Sequence, residues 1–289
     1  MNDNLLMAVA LAALRYFTPV VLAALGGVVS ERAGVVNIGL ESMMLTGAYV
    51  AVAASQASGS LLVGVVAGVF AGALVGLLHA FFTQALRVPH ILSGVGLNLG
   101  ALGLTTYALR QAEANGRTLS APTSLSFPVL MVAAVLLVAV VWFVLARTPL
   151  GLRLVACGEN PEAARAAGVN VARVRYGAVT ASGALAGLGG VALALAGLGA
   201  FTENMTAGRG YIALAAVIFG RWNPLGAAGA VLFFSMGVAG EITLQTLALA
   251  RVIPPDFLTL LPYVLTLIAL AGIAGRSSAP AALGRTDDA

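Results

Sequence analysis

Long stretches without a charged side chain constrain the fold of this chain more than any other feature. Residues 42–86 contain no Asp, Glu, Lys or Arg, and only 9% of the 289 residues are charged, against about 25% in soluble domains. Hydrophobic residues make up 60% of the chain. A soluble protein of this size has too little interior to bury that share, so the sequence predicts an integral membrane protein.

The apolar stretches predict an all-α, polytopic bundle of about 8–9 transmembrane helices in one domain, because each crossing needs about 20 apolar residues. Residues 42–86 are long enough for two helices, with a break near residues 56–60. Residues 210–220 are too short for a full crossing unless they extend past Arg209 or Arg221, and a broken or re-entrant helix is the alternative. The remaining spans are expected at residues 5–29, 88–109, 126–146, 176–200, 222–240 and 257–275.

The residue inventory excludes several kinds of chemistry. All fifteen basic residues are arginine, so no lysine is present to bind phosphates in a P-loop or to form a Schiff base. Two histidines and one cysteine are too few for a His/Cys metal cluster. We therefore predict that the chain is not an enzyme and binds no metal or other cofactor. Its arginines are scattered singly, so we predict that it binds no nucleic acid.

The distribution of arginine predicts the orientation in the membrane. If all nine segments cross and the loop at residues 147–175 is cytoplasmic, ten arginines lie inside, four lie outside and Arg15 is assigned to neither side. This split follows the positive-inside rule, with the N-terminus outside and residues 276–289 as a cytoplasmic tail. If residues 210–220 do not cross, the parity of the N-terminal part changes.

The loop at residues 147–175 carries charge in a chain that otherwise avoids it. Asn160 is a good N-cap, Pro161 suits the first helical position, and Glu162 favours the positive end of the helix dipole. The alanines that follow favour a helix that Gly168 ends. These residues predict a short surface helix suited to docking in a groove of another protein. A solvated loop that obeys the positive-inside rule explains the composition equally well.

Three segments, in order along the chain, resemble one family of membrane proteins. EAARAAG (residues 162–168) resembles the signature of ABC importer permeases, in which EAA is followed by three residues and glycine. The longer segment GLRLVACGENPEAARAAG (151–168) resembles the branched-chain amino acid/ribose/nucleoside class of these permeases. SERAGVVNIGLESMMLTGA (30–48) and ALAAVIFGRWNPLGA (213–227) are similar to the nucleoside/simple-sugar subgroup, except that Ser42 replaces the usual glycine.

The resemblance implies a permease subunit of an ATP-driven importer in a bacterial cytoplasmic (inner) membrane, as a multi-pass protein surrounded by lipid. ATP and Mg²⁺ would bind a separate cytoplasmic ATPase, and an extracytoplasmic binding protein would deliver the substrate. A second, longer homologous permease would complete a heterodimer, with a homodimer as the alternative. The residues implied to couple to the ATPase are Gly151, Arg153, Glu159, Asn160, Pro161, Glu162, Ala163, Ala164, Arg165 and Gly168.

Four polar residues in or beside the apolar stretches are candidates for a substrate pathway, because polar groups at membrane depth are costly and often mark one. Asn37 and Glu41 are four residues apart and are expected to share a helix face. A structural hydrogen bond, to Arg32 or a neighbouring helix, is the favoured alternative for them. The amide of Asn98 can hold a ribose hydroxyl or a base edge, or cap a neighbouring helix, and Thr105 follows on the same stretch.

The function that these observations favour is the import of nucleosides or related simple sugars. The same kind of permease could instead carry branched-chain amino acids or ribose-type sugars. Segments 30–48 and 213–227 favour the nucleoside subgroup. An ion-coupled secondary transporter is a further alternative, but it would need paired carboxylates near the midplane and an inverted repeat.

Overall fold

The computed structural model describes residues 3–246 and 279–285, and these residues form ten α-helices and no β-strand. The predicted all-α bundle is confirmed. Short π-helical turns extend α3 (Phe81–Ala85) and α8 (Ala192–Leu198). In chain order the helices are α1 (Asp3–Arg32), α2 (Leu40–Ser58), α3 (Leu61–Ala80), α4 (His90–Ala114), α5 (Phe127–Arg147), α6 (Pro149–Glu159), α7 (Pro161–Ala166), α8 (Val171–Val191), α9 (Arg209–Phe219) and α10 (Pro224–Thr246).

Six of the described helices are long and apolar enough to cross a membrane: α1, α3, α4, α5, α8 and α10. This number is lower than the predicted eight or nine for three reasons. α2 ends at the expected break, which lies at Gly59 with φ +68°, but it is not among the described helices that are apolar enough to cross. α9 has 11 residues, about 16 Å at 1.5 Å per residue, which is half of a hydrocarbon core. The predicted span at residues 257–275 lies outside the described residues.

The non-helical segment 199–208 and α9 together run the length of the bundle. At one end, Phe201 N donates to Leu119 O (3.0 Å) in the connection between α4 and α5. At the other end, the indole of Trp222, just after α9, donates to Glu31 Oε2 (2.6 Å) near the end of α1. Residues 210–220, which were too short to predict a full crossing, are therefore the helical half of a broken crossing. We call the end of the bundle that carries α6 and α7 the loop end.

Glycines bring α2, α3 and α8 together at backbone contact. A Cβ added at Gly72 of α3 would lie 2.6 Å from Gly187 Cα of α8, and one added at Gly68 would lie 2.7 Å from Gly47 O of α2. Dispersion between closely approaching backbones is what holds helices together where the solvent is also apolar. This packing fixes the position of the interrupted segments that lie beside it.

Candidate functional site: the docking loop and the interrupted helices

Side-chain caps define the two short helices of the loop between α5 and α8. Thr148 Oγ1 accepts from Gly151 N (3.2 Å) at the start of α6, and Asn160 Oδ1 accepts from Ala163 N (2.9 Å) at the start of α7. α7 ends two residues before Gly168, which has φ +81°, a backbone conformation that favours glycine. The predicted N-cap, short helix and stop are confirmed.

α7 is buried on one side and exposed on the other. Pro161 and Ala164 are buried, and Ala164 packs in a cluster with Cys157 of α6. Glu162 and Arg165 are exposed. A docking partner can therefore reach an exposed face that carries small side chains and one charge of each sign.

The remaining residues implied to couple to an ATPase occupy different kinds of position. At Gly151 an added Cβ would lie 2.6 Å from Leu145 Cα, so this glycine permits the tight turn between α5 and α6. Glu159 Oε1 lies 3.8 Å from Arg32 Nη1 at the end of α1. Arg153 is exposed and has no hydrogen bond or ion pair with any described residue. Of these three, only Arg153 makes no contact of this kind with the described residues, while the Glu159 side chain is half exposed.

The tail segment, residues 279–285, packs against the base of the loop. Ala282 N donates to Gly158 O (2.9 Å) and Gly284 N donates to Gly34 O (3.0 Å). Ala282 is only 1% exposed. The tail segment therefore joins the end of α6 to the connection between α1 and α2.

A chain that ends at residue 278 lacks the tail segment and is expected to be less stable by about 2 kcal/mol, because two backbone hydrogen bonds of about 1 kcal/mol each are lost. In detergent this should lower Tm by about 5 °C. A chain that ends at residue 285 keeps the segment and is the control, with no change expected. Equal Tm values for the two shortened chains would contradict the stabilising role of the tail segment.

Residues 33–39 leave the helical state between α1 and α2 inside the bundle, so their backbone groups need partners other than lipid. Val36 N donates to His90 Nδ1 (3.2 Å), and Val36 O lies 3.0 Å from His79 Nε2. The second ring nitrogen of His79, Nδ1, lies 2.8 Å from Ser93 Oγ. Side chains of α3 and α4 thus satisfy the first interruption.

Asn98 of α4 uses both parts of its amide beside this interruption. Its Nδ2 donates to Ile38 O (3.0 Å) and to Tyr211 Oη (2.9 Å). Its Oδ1 accepts from Ser42 N (2.9 Å) at the start of α2. These contacts agree with the helix-capping alternative, and a role of Asn98 toward a substrate stays a prediction.

Glu41 of α2 caps α9 at the second interruption, which is the non-helical segment 199–208. Its Oε1 accepts from Thr206 Oγ1 (2.6 Å) and Gly208 N (2.8 Å), and its Oε2 accepts from Gly210 N (2.7 Å). The amide donors lie at the start of α9, where a helix has unpaired N–H groups and a positive dipole end. The structural hydrogen bond expected of Glu41 is therefore made to a neighbouring helix, not to Arg32.

Asn37 and Thr105 lie in different surroundings. α2 begins at Leu40, so Asn37 lies in the first interruption. The prediction that Asn37 and Glu41 share a helix face is therefore wrong. Asn37 Nδ2 donates to Ser182 Oγ (2.8 Å) of α8, and its buried Oδ1 has no partner among the described residues. Thr105 Oγ1 donates to Ala101 O (2.7 Å) in its own helix. Of the four candidates, three therefore gather at the interruptions and Thr105 does not.

A comparison with known protein families identifies the chain. Residues 9–270 match the family described as the permease component of branched-chain amino acid transport systems. The chain belongs to this permease family. No solved structure matches the permease significantly.

Several curated relatives resemble the permease over most of its length. It is 38% identical to the guanosine ABC transporter permease protein NupQ of Bacillus subtilis, over 94% of each chain. It is 36% identical to the nucleoside ABC transporter permease protein NupC of Lactococcus lactis, over 97% of the permease and 96% of that relative. It is 29% identical to the glucose ABC transporter permease protein TsgB13 of Haloferax volcanii, over 78% of the permease and 67% of that relative.

Sequence reasoning missed the contact that joins the end of α1 to Trp222 at the loop end. Trp222 donates its indole N–H to Glu31 and accepts at its carbonyl oxygen from Arg32 Nε (2.7 Å). Glu31, Arg32 and Trp222 come from segments 30–48 and 213–227, which carry polar residues between apolar stretches. The polar residues were the only sign in the sequence that these segments make specific contacts. They did not indicate that the two segments contact each other.

The titratable side chains of the described residues do not gather into a metal site. Among the described residues, no three His, Cys, Asp or Glu side chains could hold a metal ion together. Cys157 is fully buried, and burial raises the pKa of its thiol, which disfavours the reactive thiolate. That the permease binds no cofactor stays a prediction.

Proposed function

We propose that the permease is the membrane subunit of an ABC importer that moves nucleosides into the cell. The observation that carries this proposal is the exposed, capped helix α7 on the loop between α5 and α8. The family membership of the chain supports a transport permease. Its similarity to NupQ and NupC, whose names state guanosine and nucleoside transport, supports the substrate class.

In this proposal the loop end faces the cytoplasm and α7 docks on a separate ATPase, which binds ATP and Mg²⁺. Glu162 and Arg165 are exposed for this contact. α6 connects α7 to the tail segment through Gly158, and the tail segment connects to the first interruption through Gly34. Movement of the ATPase can therefore reach the non-helical residues 33–39 through a short path of hydrogen bonds.

The partners follow from the same proposal. A binding protein would dock at the end opposite the loop end and deliver the nucleoside, and a second homologous permease would complete the pore. The loop end carries the exposed residues Arg153, Arg165 and Arg173, which agrees with a cytoplasmic side under the positive-inside rule. The permease itself would not hydrolyse ATP.

A simple sugar is the second candidate substrate. The similarity to TsgB13, whose name states glucose transport, supports it. The nucleoside proposal is preferred because NupQ and NupC are more similar to the permease and are covered more completely. A branched-chain amino acid rests only on the family description.

The double variant Glu162→Ala plus Gly168→Ala tests the proposal. It removes the acidic group from α7 and strains the stop at Gly168, whose φ of +81° is unfavourable for alanine. Uptake of labelled nucleoside is expected to fall at least about tenfold, a loss of about 1.4 kcal/mol in coupling. The ATPase is expected to co-purify less well with the variant.

A matched control is available at the opposite end of the bundle. Glu113 is exposed, and Gly116 has φ +69° with nothing within 4 Å of an added Cβ. Glu113→Ala plus Gly116→Ala changes the same residue types away from the loop and should keep wild-type co-purification of the ATPase. Unchanged uptake and unchanged ATPase co-purification in the α7 variant would disprove the docking role.

A further inference from the structure

A cavity of about 580 Å³ opens on the flank of the permease beside the second interruption. We call it the flank cavity. Its volume falls in the range of about 300–1,000 Å³ that ligand pockets occupy. The π-helical end of α8, the non-helical segment 199–208 and the start of α9 supply much of its wall. The polar residues among those that line it are Arg15, Tyr16, Thr202 and Arg209.

The location of the flank cavity favours a substrate over a structural void. In transporters, interrupted helices border substrate sites, because their free backbone groups are tolerated only where protein or a cavity surrounds them. Leu193 and Leu198 come from the π-helical turn that ends α8, and Met205 comes from the non-helical segment. The cavity therefore lies where the backbone of the broken crossing is irregular.

The polar groups of the flank cavity mainly donate hydrogen bonds. Arg209 Nη1 donates to Met205 O (2.9 Å) and Thr206 O (3.0 Å), but its Nε is buried and has no partner among the described residues. The Arg209 guanidinium lies 5.1 Å from the centre of the Tyr16 ring, which holds it in place. Arg15 is exposed and forms no hydrogen bond or ion pair with a described residue.

The charge of the flank cavity sets the chemistry of its ligand. Two guanidinium groups line it, and no acidic side chain is among the described residues that do so. Arginine has donors and no acceptor, so the ligand must present acceptors. Paired N–H groups of arginine recognise O6 and N7 of a 6-oxopurine, whereas adenine presents an amino donor at position 6.

Building on the proposed nucleoside import, we infer that the flank cavity binds the base of a 6-oxopurine nucleoside, with Arg15 and Arg209 reading O6 and N7. An anionic lipid headgroup would satisfy the same donors. The cavity also borders the unbroken helix α1, which supplies Ala8, Leu11 and Ala12. The lipid is the less favoured ligand because most of the remaining lining belongs to the irregular backbone at the end of α8 and the start of α9.

The test compares inosine and adenosine, which differ in the group at position 6 of the base and in the proton that inosine carries on N1. Wild-type permease and the variants Arg15→Gln and Arg209→Lys are reconstituted with the ATPase and binding protein, and initial uptake rates of both nucleosides are measured. Arg209→Lys keeps a cation for the two carbonyl contacts but removes the planar fork. Arg117→Gln is the control, because Arg117 is exposed in the connection between α4 and α5 and does not line the cavity.

Each arginine variant is expected to lower the ratio of inosine to adenosine uptake by about tenfold, while Arg117→Gln leaves it unchanged. Because the binding protein is the same throughout, a change in this ratio reports the permease. An unchanged ratio in variants that still import nucleoside overturns the inference and leaves the proposed function intact. Failure of the wild type to import any nucleoside overturns the proposed function and the inference together.

A second measurement distinguishes a site for a lipid headgroup from a site for the nucleoside. The same uptake is measured in vesicles of phosphatidylcholine alone and in vesicles that contain phosphatidylglycerol. If the inference holds, the ratio of inosine to adenosine uptake is the same in both. If the arginine variants instead lose both nucleosides equally, and only in vesicles that contain phosphatidylglycerol, the cavity binds the headgroup and the inference is wrong.

Discussion

Glu41→Ala is expected to destabilise the permease by about 3–5 kcal/mol, because three buried donors lose their acceptor at a cost of about 1–3 kcal/mol each. The carboxyl group accepts three hydrogen bonds from Thr206, Gly208 and Gly210. Alanine leaves these donors unpaired inside the bundle, where little water replaces the lost acceptor. The start of α9 then loses the contact that positions it against α2.

Thermal unfolding in detergent measures this effect. A loss of about 4 kcal/mol corresponds to a fall in Tm of roughly 10 °C for a chain of this size. Glu41→Gln keeps one acceptor oxygen and is expected to fall between wild type and alanine. Glu113→Ala removes an exposed glutamate at the end of α4 and should leave Tm unchanged. If Glu41→Ala unfolds at the wild-type temperature, its carboxyl group does not support the second interruption.

Gly72→Val is expected to prevent the native packing of α3 against α8. A Cβ at this position would meet Gly183 O and would lie 2.6 Å from Gly187 Cα, and both neighbours are backbone atoms that cannot rotate away. The cost should reach about 3 kcal/mol or more, the upper part of the range for overpacking. The yield of monodisperse protein in gel filtration and its Tm are the measurements.

Gly100→Val is the matched control for this change. Gly100 also lies within a membrane-spanning helix, α4, but nothing lies within 4 Å of a Cβ added there. Valine has a better helix propensity than glycine, so the control should fold with a normal yield. Equal yields and equal Tm values for the two variants would mean that α3 and α8 do not approach each other as closely as described.

The helices and their caps were predictable because they depend on neighbours in the sequence. An apolar stretch is driven into a bilayer wherever it occurs, and Asn160 caps α7 through an amide three residues away. The break after α2 and the stop at Gly168 likewise need only one glycine with positive φ. The same local rules failed for Asn37, because α2 begins at Leu40 and Asn37 lies in the non-helical segment before it.

The interruptions were not predictable in detail because their partners are remote in sequence. Glu41 and Gly210 are separated by 169 positions, and His79 is 43 positions from the carbonyl of Val36. A polar residue in an apolar stretch indicates that some partner exists, since an unpaired group in lipid is costly. It does not indicate which helix supplies the partner.

The sequence by itself determined that the chain is a helical membrane protein with one short capped helix outside the apolar stretches. Hydrophobicity and capping act over a few residues and have the same meaning in any fold. Only the tertiary structure decided that residues 33–39 and 199–208 are interruptions satisfied by other helices, and that Arg15 and Arg209 line one cavity. Those arrangements depend on which helices approach each other, and backbone contacts such as that between Gly72 and Gly187 set that approach.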